Sequence, residues 1–92
     1  MKKRVTIILI LLGLTIVSQA QTAEVLKSDG ISAETQEQYE VAAKAFEAAA
    51  EAFQAQNKVD TVCFYHAGAN YARANQYEKA IPFLQKSIDL KY

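Results

Sequence analysis

From Thr35 to Leu90 the apolar positions return every three or four residues, the spacing that places them on one side of a helix. Tyr39, Phe46 and Phe53 recur at intervals of seven, and Ala42, Ala43, Ala49 and Ala50 fill the intervening turns on the same side. Glu37, Glu40, Lys44, Glu47, Glu51 and Gln54 fall mostly elsewhere, with Glu40 and Lys44 in the favourable i,i+4 order. Neither Gly nor Pro interrupts the run between Ser32 and Asn57, so a helix is predicted near residues 35–56. Thr35 and Gln38 have the spacing of a capping box at its start. Two heptads of aromatic residues are too few to define a coiled coil. The stripe reads as a packing face, with alanines that let a neighbouring helix approach closely.

Asn57 to Asp60 breaks the run and supplies Asp60 or Thr61 as the next N-cap. A second helix is predicted near 61–74, where Phe64, Ala67, Gly68 and Tyr71 share a face. Glycine inside a helix costs about 0.5–1 kcal/mol relative to alanine, so Gly68 marks a place where another helix comes too close for a side chain. Asn75, second only to glycine in tolerating the left-handed cap, ends this helix. A third helix near 77–90 carries Ala80, Ile81, Leu84, Ser87 and Ile88 on one stripe. Pro82 lies in its early turns, where a mild kink is expected. Upstream, Ser28-Asp29-Gly30 carries turn chemistry, and residues 21–34 read as a linker or a short frayed helix. The fold class is all-α.

The first twenty residues follow a different pattern. Lys2-Lys3-Arg4 precedes an uncharged, mostly apolar run from Val5 to Val17, and Ser18-Gln19-Ala20 offers small residues at a cleavage site. This is the arrangement of a secretory signal peptide, similar to bacterial export signals ending in Ala-Gln. Thirteen helical residues reach about 20 Å, short of the roughly 30 Å of a bilayer core. Cleavage near Ala20 would leave a periplasmic or secreted chain running from Gln21 to Tyr92, close to the lower limit of size for a self-supporting core.

The leader also changes the charge. The whole chain sums to zero, but three of its ten basic residues lie before Val5 and all ten acids after Ala20. The remainder holds seven basic against ten acidic side chains, about −3 with His66 neutral. That balance lacks the basic face nucleic-acid binding requires. Cys63 is the sole cysteine: it reads as a small buried hydrophobe, with an intermolecular disulfide as the alternative. His66 is the sole histidine and reads as a solvated residue. There is no phosphate loop, CxxC or HExxH, and no convergent polar set, so neither a catalytic site, a metal site nor a cofactor is expected.

Between Thr61 and Leu90 the residues Phe64, Ala67, Gly68, Tyr71, Tyr77, Ala80 and Leu84 occur in the order and spacing of the tetratricopeptide repeat, which this stretch resembles. Tyr39, Ala42, Phe46 and Ala49 repeat the spacing of Tyr77, Ala80, Leu84 and Ser87, at a shift longer than the family's repeat by about one helical turn. The long helix therefore looks like the second helix of a preceding repeat. Its first helix would fall where Ser28-Asp29-Gly30 interrupts, which gives about one and a half repeats. The resemblance implies antiparallel helix hairpins of an α-solenoid, held by Tyr39, Ala42, Phe46, Phe53, Phe64, Ala67, Gly68, Tyr71, Tyr77, Ala80, Ile81, Leu84 and Ile88.

The resemblance also implies a non-catalytic scaffold whose first helices line a groove for a protein or peptide. On this chain the groove side comprises Val62, Tyr65, Ala69, Ala72 and Arg73, with Tyr65 and Arg73 of the types that anchor interfaces. Tyr65, His66 and Ala69 stand where the family's carboxylate-clamp version places Lys, Asn or Arg, so recognition of a chaperone tail is not implied. Because stacked repeats bury a core only through neighbours, further repeats or self-association are expected, as for the N-terminal portion of a longer repeat protein. Two alternatives are a membrane-tethered assembly subunit with its leader retained and the recognition module of a longer enzyme.

Overall fold

A computed structural model describes residues 22–90; the leader with its cleavage site, and Lys91 and Tyr92, lie outside the described residues. Four helices follow one another: α1 (residues 22–35), α2 (Tyr39–Gln54), α3 (Thr61–Arg73) and α4 (Tyr77–Asp89). Each packs on its neighbour in the chain, and α1 also meets α3 across α2. The fold is all-α with adjacent-helix packing.

The first correction concerns Ser28-Asp29-Gly30, which forms no turn. Helix α1 runs through it without a break, and Gly30 is buried. A methyl group at Gly30 would stand 2.9 Å from two carbons of the Phe46 ring, so the missing side chain serves close packing of α1 on α2. Gly68 plays the part expected of it. A methyl there would meet Leu84 Cγ at 2.6 Å and the Leu84 backbone nitrogen at 3.0 Å.

The second correction concerns the start of the long helix. Glu37 adopts φ 60°, and a turn separates α1 from α2, which begins at Tyr39 and not near 35. The Thr35–Gln38 capping box does not form. Thr35 belongs to α1, where its Oγ1 donates to the Ile31 carbonyl at 2.9 Å. What closes α1 is a Schellman cap: the Gln38 N–H donates to the Ala33 carbonyl and the Glu37 N–H to that of Glu34. Helices α2 and α3 end the same way, around Asn57 (φ 60°) and Asn75 (φ 63°). At the opposite end of α3, Asp60 is the N-cap and its Oδ1 accepts from the Cys63 N–H at 3.0 Å.

The core runs from α1 to α3. Ala23, Ala33, Ala42, Phe46, Ala49, Ala50, Phe53, Cys63, Phe64 and Ala67 form one buried cluster, and Ala43, Tyr71 and Ala80 a second beside it. Alanines dominate, so the helices lie close and the few rings between them carry most of the buried apolar area. Tyr71 stacks on Phe83 (5.8 Å between centroids) and donates its hydroxyl to Glu47 Oε2. Cys63 is fully buried. Burial, aided by the Asp60 carboxylate, pushes its thiol up to about 12, which leaves it an unreactive hydrophobe.

Helix α4 is less well covered. It passes through Pro82, which is exposed and has no N–H to offer the Glu78 carbonyl one turn back. Only Ala80 and Ser87 are buried on α4, against six residues on α2. Of the residues expected to pack between helices, Tyr77, Ile81 and Ile88 are instead more than half exposed, because α2 and α3 reach only one side of the apolar sector of α4.

Gly68→Ala is expected to destabilise the protein by about 1–2 kcal/mol, overpacking of about 1–3 kcal/mol exceeding the gain in helix propensity. Gly30→Ala should cost less, because it meets only side-chain carbons. Urea denaturation of both variants measures the order. A stabilised Gly68→Ala protein would contradict the close approach of α3 and α4.

Candidate functional site

The five groove residues expected from sequence all lie on α3, within about 100° of arc at 100° per residue. Val62, Ala69 and Ala72 are half-buried, while Tyr65 and Arg73 are exposed. They form a contiguous stripe opposite the buried side of the helix, which carries Cys63, Phe64, Ala67, Gly68 and Tyr71.

One flank of this stripe is a polar seam with α1, centred on Glu34. A single carboxylate oxygen, Glu34 Oε1, accepts from Asn70 Nδ2 at 2.8 Å, His66 Nδ1 at 3.0 Å and Arg73 Nη1 at 3.2 Å. The donors stand at i, i+4 and i+7 on α3, so one carboxylate reads almost two turns of the facing helix. To donate here, His66 must carry its proton on Nδ1. Its ring lies on Phe46 at 4.9 Å between centroids, and the Tyr65 ring meets it edge-on at 5.5 Å. His66 is therefore fixed between α1 and α2 and is not the solvated side chain expected. Arg73 also spans the seam, its guanidinium 5.7 Å from the centre of the Tyr39 ring. Near the other end of α1, Lys27 Nζ bonds Asp60 Oδ2 at 2.8 Å.

Burial alone would raise the Glu34 carboxyl. The hydrogen bonds from Asn70 and His66, with the nearby Arg73 charge, outweigh it and hold the group below its ordinary value of 4.5. Asp60 follows the same logic: burial opposes ionisation, and the bonds from Lys27 and the Cys63 N–H overcome it. Asn70 is fully buried, and its Oδ1 lacks a partner among the described residues while its Nδ2 donates twice, to Glu34 and to the His66 carbonyl.

The other flank of the stripe faces α4. There Tyr65 joins Leu84, Ser87 and Ile88 around an open, mainly apolar depression of about 320 Å³. The structure thus parts the two expected anchors: Arg73 is held in the polar seam, and Tyr65 borders an apolar hollow.

Glu34, His66 and Asn70 were not among the expected site residues. The i, i+4, i+7 series of His66, Asn70 and Arg73 is visible in the sequence as a polar line beside the groove stripe. Its acceptor is not, because it comes from a segment that carries turn chemistry. No group of three or more His, Cys, Asp or Glu among the described residues is placed to hold a metal ion. The arrangement is an apolar stripe with a polar border.

Because the folded-state carboxyls of Glu34 and Asp60 titrate below their unfolded values, their stabilisation is complete above those values. It is lost as pH falls through the folded pKa. The stabilisation from this pair should therefore be full and nearly independent of pH around neutrality, and the melting temperature should fall between about pH 5 and 3. Glu34→Gln, which cannot ionise, should lower the melting temperature at pH 7 and flatten the acid limb. An acid limb of unchanged slope would show that the seam contributes nothing.

No protein-family model, curated protein or solved structure matches this chain.

Proposed function

We propose that this chain is a helical-repeat scaffold of the tetratricopeptide type, an α-solenoid element that binds a protein or peptide after export and performs no chemistry of its own. The observation that carries the reading is a correspondence of packing contacts between the α1–α2 and α3–α4 hairpins. Gly30 under Phe46 in the first matches Gly68 under Leu84 in the second, with the same separation along the chain in each pair. Glu37 and Asn75, both left-handed, close the first helix of each pair, and Tyr39 and Tyr77 open the second. Two sequence segments that differ at most positions thus place the same kinds of residue at the same joints. On this reading the chain holds two hairpins, not one and a half, because α1 supplies the helix that the expected interruption removed.

Within such a scaffold α1 and α3 are the first helices of successive repeats, and their shared face is the binding surface. The stripe of Val62, Tyr65, Ala69 and Ala72 provides apolar contact, and Arg73 and His66 a polar edge. The net negative charge beyond the leader favours a protein or peptide over nucleic acid. No helix among the described residues is long and apolar enough to cross a membrane. The export reading rests on the pattern of Met1–Ala20.

A photo-crosslinking amino acid at position 65 or 69, compared with position 44 on the far side of α2, tests the surface in living cells. Discrete adducts from 65 and 69 but not from 44 are expected. Equal labelling from all three would remove α3 as the binding face. Mass spectrometry of the purified protein should show a chain beginning at Gln21, whereas an intact Met1 would point to a tethered subunit.

A further inference from the structure

Removal of an export leader ending at Ala20 adds water across the Ala20–Gln21 amide, leaving a carboxyl on Ala20 and an amine on Gln21. That bond lies outside the described residues, but Gln21 alone separates it from Thr22, where α1 begins. The next residue, Ala23, is fully buried, in the same core cluster as Phe46 and Phe53. One turn further along the same face, Lys27 Nζ bonds Asp60 Oδ2, the cap of α3, at 2.8 Å and stands 6.0 Å from the centre of the Phe53 ring. An apolar anchor and a charged one therefore hold the first turns of α1 against the rest of the fold.

A peptidase takes its substrate as an extended strand, main chain against main chain, for several residues on either side of the bond it cuts. Three residues beyond Ala20 already reach Ala23. To present them extended, the chain must unwind the first turn of α1 and draw Ala23 out of the core. Cutting from the folded state then proceeds only through the fraction of molecules in which that turn is open. Folding itself is fast. The helices pack on their neighbours in the chain, and folds built from such local contacts form on the order of microseconds to milliseconds. A chain released with its leader attached therefore folds first.

We propose, taking the leader as an export signal, that α1 shields the processing bond. The Ala20–Gln21 bond is cut only while α1 is undocked, so the chain crosses the membrane unfolded and α1 docks after cleavage. The order is built into the chain, because a single residue stands between the bond and the helix.

The full chain, purified with its leader in mild detergent and shown to be folded by circular dichroism, is incubated with a bacterial signal peptidase beside two variants. One carries a Gly-Ser-Gly-Ser linker inserted between Gln21 and Thr22, which moves the bond clear of α1 and leaves the fold. The other is Phe46→Asp, which puts a charge in the core and unfolds the chain without altering the leader. Both should be cut at least about tenfold faster than the parent, with mass spectrometry placing the cut before Gln21. A parent cut as fast as both variants, or a linker variant as slow as the parent, would overturn the shielding and leave the export signal standing. If none of the three is cut, the leader is no export signal and the proposal falls with it.

Discussion

Phe46 sits where three helices meet, and the rest of the structure depends on what packs against its ring. Against this ring α1 must come so near that only glycine fits, and Gly30 supplies it. The imidazole of His66 from α3 stacks on the same ring. A fully buried phenylalanine contributes about 1.5–3 kcal/mol by leaving water, a large share of what a chain this small holds in reserve. That burial requires α1 and α3 to be held at set distances, and Glu34 does so by taking three donors from α3. The apolar contact and the polar seam are thus one device: the ring fixes the spacing, and the carboxylate fixes the rotation of α3 above it.

How much of this could be read from the chain depended on whether the relevant signal was local. The boundaries of α3 and α4, the Asp60 cap and the left-handed Asn75 were legible, because each is written in residues within a turn of where it acts. Gly68 was read correctly since aromatic residues surround it at helical spacing. Gly30 carries the same packing role but follows Ser28-Asp29, where turn chemistry is the stronger local cue. The ring that explains it lies in the middle of the next helix. Thr35 and Gln38 had the spacing of a cap, but the conformation of Glu37 put a helix end there before the next helix could begin. Glu34 was illegible for a related reason. A carboxylate in a helix of uncertain existence has no visible partners, and its three donors all come from α3, two helices further on.

The same argument applies to the stripe expected on α3. Periodicity placed Val62, Tyr65, Ala69, Ala72 and Arg73 on one side of α3, and they share it. Periodicity is silent, however, on what flanks a face. The flank toward α1 is polar and already occupied by intramolecular bonds, so Arg73 is partly committed to holding α3 in place. The flank toward α4 is apolar and open, and Tyr65 belongs to it.

Burial is distributed unevenly along the chain, and this orders the stability of its parts. Helix α2 has neighbours on two sides and buries six residues, whereas α4 buries two and is held through Gly68, Tyr71 and the α3 cap. Local opening free energies follow such differences in coverage, so α4 is the element that opens first.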